Sequence, residues 1–248
     1  MSEPAPRKPR VAICIPAYDS WKAETGFDVL KLVICSAPHV DLTASFIRGQ
    51  DTSTARNNMV AGFKELKGDQ AVDAILWIDA DMMFPPDALL RLLSHRVPIV
   101  GADYRLRMPP FPRIGHWVNP ENPFADYIPI PDDAPQTGLD DNFAVLGFGL
   151  ILTHMRVFDH PEWQRPWFIR TWMPNAIRSD NLDGFSTEDS IFCTMARACG
   201  FKIHCDLDLT REVSHIGQMS VPWQLNNAAS IAARKTQFQA TERTEAAE

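Results

Sequence analysis

Two carboxylates one residue apart, Asp79 and Asp81, close a short apolar run, AILWI. Acids this near each other are costly unless positive charge lies between them. A hard divalent cation, Mn2+ or Mg2+, carried on a diphosphate would supply that charge through oxygen ligands. The competing use is local, with Asp81 capping the next helix and Asp79 accepting from nearby backbone. A second acidic cluster is Ser186-Thr187-Glu188-Asp189. Glu188 or Asp189 there has the chemistry of a general base for an attacking hydroxyl. Both acids also suit the first turn of a helix, with Ser186 as cap and Asp189 closing the box. His215 is a candidate further ligand, since imidazole suits Mn2+ better than Mg2+. Arg56 and Asn57 open a helical stretch and would meet a phosphate there, or simply form an exposed first turn. Trp117, Trp163, Trp167 and Trp172 offer either a stacking wall for a sugar or plain core.

The elements that must carry these residues alternate. Residues 11–15 read as a strand ended by Pro16, which leaves Ala17 and Tyr18 at its carboxyl end. Residues 25–36 predict a helix with Phe27, Leu30, Val33 and Ile34 as its apolar stripe. Residues 40–47 read as a strand, and 52–66 as a helix burying Met59, Val60, Phe63 and Leu66, closed by Gly68. Residues 74–78 form the strand that ends at the two acids, and the helix after them opens with Pro85 and Pro86. Residues 98–102 form a fourth strand running into Asp103, Tyr104 and Arg105. Residues 106–141 show little periodicity, the mark of a long functional loop. Residues 143–152 resume as one strand, interrupted by Gly147 and Gly149 for close backbone approach. Residues 186–199 predict a helix with Ile191, Met195 and Cys199 on one face, and 202–209 a late strand. This alternation predicts a mostly parallel sheet covered on both faces, where ligands bind at the carboxyl ends of strands.

The chain as a whole sets looser bounds. Its 248 residues suffice for a sizeable core. The net charge of -7 argues against a broad nucleic-acid surface and leaves a local basic groove open. Cys14, Cys35, Cys193, Cys199 and Cys205 form no zinc-type spacing and read as reduced thiols. The first residues lack an apolar core of a signal peptide, and no run reaches the length of a membrane span, so a cytoplasmic location is expected. A Gly-x-x-x-x-Gly-Lys loop, a Gly-x-Gly-x-x-Gly turn and a Gly-x-Ser-x-Gly elbow are all missing.

Taken in order, VAICIPAY, TARNNMV, ILWIDADMMFPPDALLRLL, IVGADYR, VLGFGLILTHMRVF, STEDSIFCTMARACGF and His215 resemble the family-2-like GT-A fold glycosyltransferases, over residues 10–217. The resemblance implies a single α/β, Rossmann-related domain over 10–220, with a mostly parallel central sheet flanked by helices. It implies a nucleotide-binding half at 10–104 and an acceptor half at 105–220. Residues 1–9 would be a disordered lead-in and 221–248 a tail. By position, Pro16, Ala17 and Tyr18 would border the base and ribose, and Arg56 would reach the nucleotide. Asp79 would lie near the ribose or the metal. Asp81 and His215 would hold Mn2+ or Mg2+ on the diphosphate of a nucleotide-sugar donor, a UDP-sugar first among them. Asp189, or Glu188, would be the base of an inverting transfer to an acceptor hydroxyl. Asp103, Tyr104 and the Gly147-Phe148-Gly149 segment would face that acceptor. Two rivals are a nucleotidyltransferase, which would want a glycine-rich loop that PAYDSWKAETG lacks, and a non-catalytic nucleotide-sugar or carbohydrate-binding module.

Overall fold

A computed structural model of the protein describes residues 7–107, 110–122, 127–131, 133–172, 185–217 and 220–222. Of the expected lead-in (1–9) and tail (221–248), residues 1–6 and 223–248 lie outside the described residues, while 221 and 222 belong to a strand. The apolar runs at 11–15 and 74–78 fold as the strands β1 (Arg10–Ala17) and β3 (Ala74–Ile78). Both are buried on their two faces, as a continuous apolar run requires. Ile75 and Trp77 enter one core layer with Met59, Val60 and Phe192, while Leu76 and Ile78 enter the other with Leu32, Leu89 and Leu92. Trp163 and Trp167 are buried in the first layer and Trp117 packs against it, so these rings are core and not an open stacking wall.

The other strands of the first half are β2 (Asp41–Arg48), β4 (Met82–Met83), β5 (Ile99–Gly101) and β6 (His116–Val118). Downstream lie β7 (Tyr127–Pro129), β8 (Leu139–Val145), β9 (Leu150–His154), β10 (Thr171–Trp172) and β11 (Phe185–Ser186). The last are β12 (Ile203–Asp206), β13 (Ser214–Ile216) and β14 (Ser220–Pro222). The helices are α1 (Ala23–Ser36), α2 (Thr52–Glu65), α3 (Ala88–Ser94), α4 (Met155–Phe158), α5 (Glu188–Ala198) and α6 (Leu207–Thr210). Among the described residues, no helix is long and apolar enough to cross a membrane.

The large sheet runs β2-β1-β3-β9-β5-β12-β8-β6-β7. It is mixed and not mostly parallel. Only β1/β2, β1/β3 and β5/β12 pair in parallel. β9 lies antiparallel between β3 and β5, and β8, β6 and β7 extend the far side antiparallel. Two expectations fail here together. The stretch 143–152 is two strands, β8 and β9, in different places in the sheet, and 106–141 contributes β6, β7 and the start of β8. The two strands separate at Gly147 and Gly149, which wrap the ring of Tyr104. A Cβ on Gly147 would come within 2.5 Å of the Tyr104 hydroxyl, and one on Gly149 within 2.6 Å of its ring.

Helix α1 turns the other way from its apolar stripe. Thr25, Asp28, Leu32 and Ser36 are buried, while Phe27, Leu30 and Ile34 are 62%, 53% and 67% exposed. The cause is tertiary. The Asp28 carboxylate accepts the Phe84 N–H at 3.1 Å and pairs with Lys31 at 2.5 Å. That bond seats the polar face on the segment after β4. Helix α5 is also rotated from expectation, since it buries Phe192, Cys193 and Ala196 and leaves Met195 37% exposed. All five cysteines are free, with Cys14, Cys193 and Cys205 buried.

Candidate active site

The turn after β3 is held by backbone on three sides. Gly149 O accepts from Asp79 N–H (3.1 Å), Ala80 O accepts from Lys22 N–H (2.8 Å), and Asp81 O accepts from Ile216 N–H (2.7 Å). β13 pairs antiparallel with β4, with His215 opposite Met82. This two-residue strand, not foreseen from the sequence, brings His215 to the acids. Its Nε2 lies 3.3 Å from Asp81 Oδ1. Its Nδ1 lies 3.0 Å from the Arg105 carbonyl, which can only accept, so Nδ1 carries the proton. Its Nε2 faces the carboxylate, as an N–H donor when that nitrogen also carries a proton and as a ligand for a cation when it does not.

Arg107 takes the other oxygen of Asp81 at 2.5 Å. Burial works to raise the Asp81 pKa, but the hydrogen bond and charge of His215, with Arg107, hold it below the ordinary value. With Nε2 unprotonated, Asp81 and His215 could offer a cation one oxygen and one imidazole nitrogen, on a ring pinned by a backbone carbonyl. Among the described residues no group of three or more His, Cys, Asp or Glu is disposed to hold a metal. Diphosphate and water oxygens would have to complete the shell, as they commonly do for Mg2+.

The second centre is built on Arg56. Asp51 caps α2 by accepting the Thr54 N–H (3.0 Å), which sets the helix so that Arg56 points inward. Its guanidinium is 1% exposed and meets Asp79 (2.9 Å), Glu188 (3.0 Å) and Asp189 (2.5 Å). It also lies over the Phe148 ring at 4.9 Å and the Phe168 ring at 5.6 Å. Burial opposes its charge, yet Asp189, Asp79 and Glu188 outweigh that and raise its pKa. One cation faces three acids, so the acids cannot all ionise freely. Burial pushes the Asp189 pKa up to about 7; Arg56 opposes this, and Glu188 and Asp79 add to it. Burial likewise raises Asp79, against the pull of Arg56. The N-cap of α5 is Thr187, whose hydroxyl accepts the Ser190 N–H, and not Ser186. Asp189 closes no capping box; its free oxygen accepts the Phe148 N–H at 3.3 Å.

The remaining expected residues fall into two groups. At the carboxyl end of β1, Pro16 and Ala17 are in the strand and Tyr18 is 75% exposed, open to a ligand. Asp79 stands beside them, with one oxygen committed to Arg56. Asp103, Tyr104 and Phe148 are enclosed instead. Asp103 accepts from Arg113 (2.7 Å), Tyr104 N–H (2.8 Å) and Gly115 N–H (2.8 Å). The Tyr104 hydroxyl accepts the Gly149 N–H (3.0 Å), and burial raises its pKa well above the usual value. Phe148 is fully buried among Trp77, Phe168 and Phe192. These three residues support the site from behind and do not face an acceptor. Asn57 is also structural: its amide ties α2 to Phe168 O (2.7 Å) and Trp167 N–H (2.8 Å). Arg107 went unread in the sequence, although it lies just past the carboxyl end of β5, where site residues gather. Comparison of the chain with protein-family models and with curated proteins finds no match.

Proposed function

We propose that the protein is a metal-dependent glycosyltransferase that moves a sugar from a nucleotide-diphosphate donor, a UDP-sugar first among those to test, to an acceptor hydroxyl with inversion. The observation that carries the reading is the facing pair Asp81 and His215, at a strand's carboxyl end, with Asp189 joined to the neighbouring Asp79 by their shared ion pairs to Arg56. Asp81 and His215 would hold Mn2+ or Mg2+, which when bound neutralises charge on the departing diphosphate. Asp189, with a pKa of about 7, is matched to taking a proton near neutral pH. The acceptor oxygen then bonds to the anomeric carbon. The sugar–phosphate bond breaks opposite to it, and its electron pair leaves with the nucleoside diphosphate. Arg56 fixes the orientation of Asp189 and Asp79 and keeps the acid group from repelling itself apart. Tyr18 offers an exposed ring for the base of the donor.

One feature favours a second reading. Arg56 and Arg107 already neutralise Asp189 and Asp81, as suits a module that binds a nucleotide sugar without turning it over. Incubating the protein with UDP-sugars, with Mn2+ or with chelator, separates the two. Metal-dependent release of UDP supports the transferase. Binding seen by thermal shift without any release supports the binding module and ends the transferase reading.

A further inference from the structure

The amino ends of β1 and β3, opposite the acids, carry two adjoining cavities of about 260 and 370 Å3. They share Ala74, Leu93 and His154 as walls. The floor is apolar, formed by the half-buried Leu93 and Val97 with Leu92 and Leu152 buried beneath them. The rim is cationic. Arg96 and Arg156 line the first cavity and Arg7 the second, against the single carboxylate Asp73. Asp73 is taken by Arg7 through two contacts, at 2.9 and 2.6 Å. Neither Arg96 nor Arg156 has a carboxylate partner among the described residues. His154 adds a neutral donor. Its Nδ1 accepts the Arg156 N–H at 3.1 Å, so the ring proton sits on Nε2. Partial desolvation, with Arg156 beside it, keeps its pKa below the usual value.

The backbone at Arg96 is a second, independent sign. Its φ is 55°, in the left-handed region just past the C-cap of α3. Glycine normally fills that position because a Cβ is strained there. The chain carries an arginine instead, and that arginine lines the cavity. Strain kept at a cavity wall points to use of the side chain.

We propose that this groove binds a phosphate monoester bearing a short apolar group, the phosphate at Arg96, Arg156 and His154 and the apolar part over Leu93 and Val97. Two unpaired guanidiniums match the charge of a phosphate monoester, about -1.5 to -2 at pH 7, better than that of a carboxylate. The apolar floor explains the need for an apolar group, which inorganic phosphate lacks. The site is independent of the acids at the other end of the sheet.

The test is the thermal midpoint of the full chain with hexyl phosphate or with inorganic phosphate. Hexyl phosphate at roughly 100-fold above its Kd should raise the midpoint by about 5 °C, and inorganic phosphate should do markedly less. Arg96→Gly should itself raise the midpoint, by relieving the backbone, yet abolish the ligand shift. Arg156→Ala should abolish the shift as well, and Asp81→Asn should leave it intact. Absence of a shift, or a shift that survives both arginine changes, overturns the proposal. Phosphatidylcholine vesicles with and without phosphatidic acid identify the source. Capture only with phosphatidic acid, lost in Arg96→Gly, makes the ester a lipid headgroup, and a response to hexyl phosphate alone makes it a soluble ester.

Discussion

His215 and Asp81 face each other, Nε2 to Oδ1 at 3.3 Å, with the other ring nitrogen spent on the Arg105 carbonyl. Either a proton on the ring or a cation between them resolves that contact. If a cation does so, Asp81→Asn and His215→Phe should each weaken Mn2+ binding in the presence of UDP by at least roughly 10-fold. Calorimetric titration reads this directly. Equal affinity in both variants and the parent removes the pair from metal binding.

Asp189 gives a pH signature with a definite sign. Its folded pKa, about 7, lies above the ordinary value of 3.8. Its contribution to stability is therefore complete below pH 3.8 and is lost as pH rises towards 7. Asp189→Asn should flatten the fall in thermal midpoint across that window. Transfer in the parent should rise with pH through about 7, as the base loses its proton, and the Asn variant should be slower by about 10²–10⁴-fold. A variant that kept both the rate and the parent's pH profile would leave Asp189 with a structural role alone.

Arg56 is a buried cation shared by three acids, so its loss uncovers charge rather than a single bond. Arg56→Met should cost about 3–5 kcal/mol at neutral pH. The cost should shrink as pH falls and the acids take up protons. Urea unfolding at pH 5 and pH 8 tests the direction, and an equal cost at both would break the link to the acids.

Tyr104 and Gly149 are predicted to be coupled. Gly149→Ala should cost about 1–3 kcal/mol in the parent, because its methyl meets the tyrosine ring. In a Tyr104→Ala background the same change should cost far less, so the two losses should not add. Denaturant midpoints of the four proteins complete the cycle, and simple additivity would refute the contact.

The outward stripe of α1 makes a contrast of neighbours. Leu32→Ala should cost about 2–5 kcal/mol, whereas Ile34→Ser and Phe27→Ser should stay within about 0.5 kcal/mol of the parent. Comparable losses at Leu32 and Ile34 would mean that the stripe is covered.

Some of this could be read from residue order and some could not. β1, β3 and the acid turn follow from local apolar runs that stop at Pro16 and Asp79. The glycines at 147 and 149 announced a close approach, and Tyr104 supplies it. Helix α1 misled because one buried carboxylate, Asp28, outweighed three apolar side chains in choosing the inward face. The direction of β9 was hidden because a buried strand has the same pattern whichever way it runs. The Arg56 cluster joins residues 23, 132 and 133 positions away, which no local spacing reveals.

The placement of β5 bears on how the chain is made. Its two neighbours in the sheet, β9 and β12, are both encoded after it, from residue 150 onwards. As the ribosome extends the polypeptide, Ile99, Val100 and Gly101 have no strand to join until some fifty further residues have emerged. Nascent chains halted at residue 145, with β5 outside the exit tunnel and β9 not yet made, should be protease-sensitive around this segment, and protection should come only when Leu150–His154 leaves the tunnel.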